Sequence, residues 1–179
     1  KGIFDISQNL HSKGLSPIKE VLIDTFDVLE KRMESDESLT GVTSGFIDLD
    51  NKLSGFQKSD LVLLAARPSM GKTALMVNFA LNAAIAGKKV AVFSLEMSQN
   101  QLAQRMMSAM SHVDLQKIIS GKLESEDLPR LLEGISVLQQ FNISIDDTAG
   151  ITPLKLKAKA RKLKAKEGLD LIVIDYLQL

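Results

Sequence analysis

Apolar positions in this chain fall into two periods. Between Pro17 and Met33 they recur at helical spacing, at Ile18, Leu22, Phe26, Leu29 and Met33, with Val21 and Val28 beside them. That spacing predicts an amphipathic helix. Ser16 and Pro17 form its start, with Pro at the first helical position, and the polar run Glu34 to Ser38 ends it. Further on, short continuous apolar runs alternate with helix-period stretches. The runs predict strands at 61–66, 89–95, 142–146 and 169–175. The stretches predict helices at 72–86, 99–110, 115–120, 126–140 and 153–167. Strands alternating with helices call for an α/β fold with a parallel sheet and right-handed crossovers. The expected organisation is a connector over residues 1–36 carrying one helix, then a single α/β domain over 37–179.

The junction between the first predicted strand and its helix carries the most specific chemistry. Leu61 to Thr73 reads LVLLAARPSMGKT. A strand running into Gly-Lys-Thr at a helix start is a phosphate-binding loop. Ala66 lets the chain turn off the strand, and Gly71 lets the backbone approach a phosphate with no Cβ in the way. The backbone of Arg67, Pro68, Ser69, Met70 and Gly71 lines such a loop and turns its N–H groups to the anion, so 66–73 is the candidate nucleotide-binding segment. Arg67 is given no side-chain role. Lys72 is the candidate cation for the β- and γ-phosphates, and the Thr73 hydroxyl the candidate Mg²⁺ ligand. Ala66 departs from the general loop pattern, which has Gly there.

Two acids follow later apolar runs. Asp175 ends Leu171–Ile174, where a carboxylate can hold the Mg²⁺ shell through water; an ordinary polar strand end is the other reading. Glu96 follows Lys89–Leu95, where it can orient and polarise an attacking water. It also precedes Ser98 and Gln101, which form a capping-box pattern, so it can equally be a helix-start acid; the two readings are compatible.

These motifs resemble the bacterial DnaB-type replicative helicases. The resemblance rests on Thr43 to Thr73, TSGFIDLDNKLSGFQKSDLVLLAARPSMGKT, on FSLEMS at 93–98, on DDT at 146–148 and on the terminal IDYLQL. Ala66 is normal in that family. The resemblance implies a RecA-like P-loop motor domain that binds ATP and Mg²⁺ and hexamerises around single-stranded DNA. It implies Glu96 as the catalytic carboxylate, Asp175 as the Walker B acid, and Lys72 and Thr73 as the phosphate and metal residues. Primase and a helicase loader are partners expected from the resemblance alone. A RecA-like ATPase of recombination or clock type, or a nucleotide-binding assembly module without hydrolysis, are the competing functions. The lead-in Thr43–Phe56 and the connector helix favour the helicase.

Periodicity leaves open whether the connector helix packs on its own domain or on a neighbouring subunit; the resemblance implies the neighbour. In such motors the DNA-contacting loops, sensor strand and arginine finger come after the point reached by Leu179. The start at Lys1, with no signal-peptide pattern, reads as an internal fragment, expected to be inactive or nearly so alone.

Composition changes this picture little. The formal net charge is zero, so no bulk electrostatic case for nucleic acid exists. Lys155, Lys157, Lys159, Arg161, Lys162, Lys164 and Lys166 crowd one predicted helix around a stripe of Leu156, Ala160 and Leu163. No aromatic residue is interleaved for base stacking, so this reads as a solvated helix face. The absence of cysteine excludes disulfides and thiolate chemistry and fits a cytoplasmic protein. No apolar run reaches the roughly 20 residues of a membrane span. His11 and His112 lack metal-ligand spacing, and the methionines, including Met70, Met76, Met97, Met106, Met107 and Met110, read as core fillers.

Overall fold

The computed structural model describes residues 17–34 and 39–176. The chain divides between Ser38 and Leu39 into two units. The first contains helix α1, Ile18–Glu34, on which Ile18, Leu22, Phe26, Leu29 and Met33 are exposed. Pro17 precedes its first turn, and its carbonyl accepts the Val21 N–H. The expected Ser16 start, residues 35–38 of the polar stop, His11 and residues 177–179 of the terminal IDYLQL lie outside the described residues.

The second unit is an α/β domain. Its elements are α2 (Ile47–Leu53), α3 (Lys72–Ile85), β1 (Val90–Ser94), α4 (Gln99–Ser111), α5 (Leu115–Ser120), α6 (Asp127–Leu138), β2 (Ile143–Asp146), α7 (Pro153–Lys166) and β3 (Leu171–Asp175). The three strands are parallel in the order β2-β1-β3. Strand β1 is buried throughout, as its continuous apolar run requires. Its side chains alternate between two layers. Val90 and Val92 join Met76, Val77, Ala80, Leu81, Leu102 and Met106 from α3 and α4. Ala91 and Phe93 pack with Ile151 and Ala160, against Leu156 and Leu163 of α7. The stripe expected on the basic helix is therefore what seats it on the sheet.

The register sets where chemistry can occur. Phe93 pairs with Asp146 and Ser94 with Asp175, so the C-terminal ends of all three strands share one edge. Open parallel sheets bind ligands at that edge.

Two elements differ from the sequence expectation. Residues 61–66 form no strand among the described residues, and Leu61 through Leu64 are exposed. An apolar run favours extended backbone, but strand pairing needs an edge to meet it. Among the described residues β3 is bonded only to β1, and Ile172 and Ile174 on it remain exposed. The second difference is α2, a helix that the periodicity did not predict. It is seven residues long, and Phe46 at its N-cap position provides no side-chain cap.

Helix α2 is held by its surroundings instead. Val42 and Phe56 exchange backbone bonds of 2.9 and 2.7 Å, closing the loop around it. Buried Asp50 accepts the Ser44 N–H at 2.8 Å and the Thr43 hydroxyl at 2.5 Å. The Ser44 carbonyl in turn accepts from Asn82 on α3 at 2.9 Å. Phe79 of α3 meets Phe46 and Phe56 edge-on, with centroids 5.7 and 5.3 Å away. The lead-in segment is thus clamped onto the helix that follows the candidate phosphate loop.

Candidate functional site

The loop ahead of α3 turns through left-handed backbone at Ser69 (φ 63°) and Gly71 (φ 86°). Gly71 stands at the N-cap position of α3 and supplies no side-chain cap. Nothing lies within 4 Å of where a Cβ on Gly71 would sit. Glycine is favoured there by its positive φ, and the open space leaves the backbone accessible to a ligand. The first N–H groups of a helix have no intrahelical acceptor and favour an anion. Ala66 through Gly71 are all exposed. Met70, expected as a core filler, is 73% exposed because it rides on this loop. Met76 and Met106 are buried in the core as expected.

The first two residues of α3 turn toward the end of β3. The Lys72 ammonium lies 3.1 Å from Asp175 Oδ1, and the Thr73 hydroxyl donates to Asp175 Oδ2 at 2.8 Å. Asp175 is buried, so both of its oxygens are matched by donors as burial demands. The Lys72 ammonium also sits 4.8 Å from the centre of the Tyr176 ring, a cation–π distance. Three of the residues singled out in the sequence therefore meet at one point. Tyr176 was not singled out; its place next to Asp175, within the quoted IDYLQL, was the signal for it.

Glu96 is not part of that cluster. Its side chain is exposed and, among the described residues, makes no hydrogen bond or ion pair. Its backbone is well anchored. The Leu95 N–H bonds the Asp175 carbonyl at 2.7 Å, extending the β1–β3 ladder by one residue. The Met97 N–H bonds the Ser94 hydroxyl at 3.1 Å. The expected capping box is present, with Ser98 and Gln101 satisfying one another's N–H groups. A free carboxylate on a fixed turn can accept a proton or orient water.

The third strand end brings the DDT segment to the same edge. The Lys159 ammonium bonds the Asp146 carboxylate and, at 2.9 Å, the Thr148 hydroxyl. Burial pushes the Asp146 carboxyl up, but hydrogen bonds from Lys159 and Thr148 outweigh it and hold the group below the usual carboxylate range. Asp147 reaches the start of α4, accepting the Gln99 N–H at 2.9 Å and the Gln99 side-chain amide at 3.0 Å.

The family described as DnaB-like helicase C terminal domain matches residues 41–179. The chain belongs to this DnaB-like helicase family. A curated relative, the replicative DNA helicase DnaB of Geobacillus stearothermophilus, is 45% identical over 178 residues. That match takes in 99% of this chain and 39% of the relative's length. Among solved structures, one described as an ATPase domain is similar with a TM-score of 0.83 at 34% identity, covering 92% of this chain and 58% of that one. A DnaB-like replicative helicase, described with its interactions with primase, gives a TM-score of 0.79 at 32% identity, covering 97% of this chain and 42% of that one. The α/β fold of this DnaB-like domain is accordingly RecA-like, a parallel sheet flanked by helices.

Proposed function

We propose that this chain is the nucleotide-binding front of a replicative DNA helicase motor, which hydrolyses ATP to translocate on single-stranded DNA and unwind duplex at the replication fork. The observation that carries the reading is the convergence of Lys72 and Thr73 on buried Asp175, at the strand edge where the loop 66–71 presents its backbone. The donor set fits a nucleoside triphosphate with a divalent cation. An ammonium, a hydroxyl and a carboxylate suit phosphate oxygens and a hard metal ion. Lys72 would hold the β- and γ-phosphates, and Thr73 and Asp175 would hold Mg²⁺. Bound Mg²⁺ neutralises charge that develops on the phosphates. To contact the phosphates, Lys72 would exchange its Asp175 partner for them. Glu96 is the catalytic carboxylate that polarises the attacking water.

Residues 1–36 are proposed as a connector whose helix docks between subunits, and residues from 37 onward as the motor domain. A hexamer around single-stranded DNA, a primase partner and a helicase loader follow from the family. The primase is supported by the described subject of one solved relative. A cytoplasmic location fits this role, and no helix among the described residues is long and apolar enough to cross a membrane. The test is strand separation on a forked DNA duplex by the full-length protein with ATP. Wild-type unwinding that disappears in Lys72→Ala supports the reading. ATP turnover with no unwinding on any fork polarity would instead favour another kind of RecA-like ATPase.

A further inference from the structure

The DDT segment is a sequence motif that the proposed chemistry leaves unused. Asp146, Asp147 and Thr148 sit at the end of β2, on the ligand edge of the sheet but on the strand away from β3. Asp146 and Thr148 are spent on Lys159 of α7, which pins the backbone on both sides of Asp147. The Thr148 N–H also bonds the Asp146 carboxylate at 3.0 Å, tightening the same turn. Asp147 is then left facing α4, where both of its oxygens accept from Gln99.

Asp147 gives the first N–H of α4 an acceptor that the helix's own capping box does not. Ser98 is the N-cap of α4 and completes a reciprocal box with Gln101. Asp147 also adds a connection between strands. Through Gln99 it ties the far end of the turn Leu95–Ser98 to β2, while the near end is tied to β3 by the Leu95 N–H. The middle is held by Ser94 on the Met97 N–H. Glu96 lies inside this turn and has no side-chain partner among the described residues to fix it. Its position depends on the backbone anchors, and Asp147 is the one contributed from the end of β2.

We propose that Asp147 is a positioning residue for Glu96, clamping Gln99 with both carboxylate oxygens and so fixing the turn that aims Glu96 at the nucleotide. The proposal rests on the reading of Glu96 as the catalytic carboxylate. Bonds to a backbone N–H and to an amide in a fixed fork restrict both translation and rotation of the helix start. A misplacement of about 1 Å in a catalytic group can cost on the order of 100-fold in rate.

The test is steady-state ATP hydrolysis by the full-length protein, together with direct binding of a fluorescent ATP analogue. Asp147→Ala should lower kcat by about 10- to 100-fold, while KM and analogue affinity stay near wild type. Asp147→Asn keeps an acceptor for the Gln99 N–H and should recover most of the loss. The deciding variant is Asp147→Ala combined with Glu96→Gln. If Asp147 acts through Glu96, the double variant turns over no more slowly than Glu96→Gln alone, because groups acting as a unit are not additive. A further drop of the same size in the double variant overturns the proposal, as does a rise in KM with kcat intact. If Glu96→Gln collapses turnover and Asp147→Ala does not, the positioning role fails and the site reading stands. If Glu96→Gln leaves turnover at wild-type level, the assignment of Glu96 has failed and the positioning role falls with it.

Discussion

The Thr73 hydroxyl donates to Asp175 across 2.8 Å, joining residues 102 positions apart in sequence. Lys72 takes the other oxygen of the same carboxylate. Together they close the candidate site on itself: the cation proposed for the phosphates is paired with the acid proposed for the metal. A buried carboxylate needs such partners, since an unpaired buried charge is costly. On the proposed reading, Lys72 and Thr73 would exchange Asp175 for their ligands when nucleotide binds.

Lys72→Ala removes the cation and leaves the backbone cradle of 66–71 intact. ATP hydrolysis in the full-length protein should fall by about 100-fold or more, the scale on which preorganised charge stabilises transition states. Circular dichroism should show the fold retained, because Lys72 lies at the first position of α3 and is part-exposed. Near-normal turnover by a folded variant would sink the site assignment.

Glu96→Gln separates binding from chemistry. The side chain is exposed and without a side-chain partner among the described residues, so its shape can be kept at little structural cost. Affinity for ATP should survive and turnover should collapse. Binding by calorimetry alongside single-turnover hydrolysis checks this. Lost affinity with normal turnover per bound ATP would make Glu96 a structural residue.

How much of this was legible in the sequence depends on how local each signal is. The loop 66–73, the Ser98–Gln101 box and the buried run ending in Asp175 are encoded within a few residues, and the structure brings Lys72, Thr73 and Asp175 together. The Asp147–Gln99 contact spans 48 positions and leaves no periodic trace, so only the named DDT segment hinted at it. Pairing of 61–66 was overread because β-type composition does not specify a partner edge. Helix α2 was missed for the opposite reason: its stability comes from Asp50, Asn82 and the Phe79 cluster rather than from propensity.

That clamp on α2 can be tested through Gly45 and Asp50. Gly45 has φ 79°, and a Cβ there would fall 2.1 Å from Asn82 Nδ2 and 2.6 Å from Asn82 Cβ. Moving the tip of Asn82 does not relieve both, so Gly45→Ala should destabilise the domain by about 1–3 kcal/mol. Asp50→Ala leaves the buried Ser44 N–H without its acceptor and should cost about 1–3 kcal/mol. Burial pushes the Asp50 carboxyl up, but hydrogen bonds from Thr43, Ser44 and Gly45 outweigh it and hold it below the usual range. A carboxyl whose folded pKa is depressed stabilises the fold above its unfolded pKa and loses that contribution as pH falls through the folded one. The melting-temperature gap between wild type and Asp50→Asn should therefore be full near neutral pH and shrink on acidification below the ordinary carboxylate range. A gap that widens in acid would show that Asp50 is not acting as an ionised acceptor.

The connector makes the last prediction. On α1, the side chains of Ile18, Leu22, Phe26, Leu29 and Met33 form a stripe and are exposed, Ile18 by 70% and Met33 by 79%. A contiguous apolar face is a liability on a lone subunit and an anchor between subunits, where a few large apolar side chains carry most of the binding energy. If the helix docks on a neighbouring subunit, Phe26→Ser with Leu29→Ser should shift the full-length protein toward smaller species at matched concentration. Those two changes leave 66–73, Glu96 and Asp175 as they are, so binding of a fluorescent ATP analogue by each subunit should persist. Analytical ultracentrifugation reads the assembly, and thermal melting followed by circular dichroism reads the fold. An unchanged distribution of species with a melting temperature lowered by many degrees would mean that the helix packs on its own domain. In that case the stripe belongs to the intramolecular core, and assembly must be sought elsewhere on the motor domain.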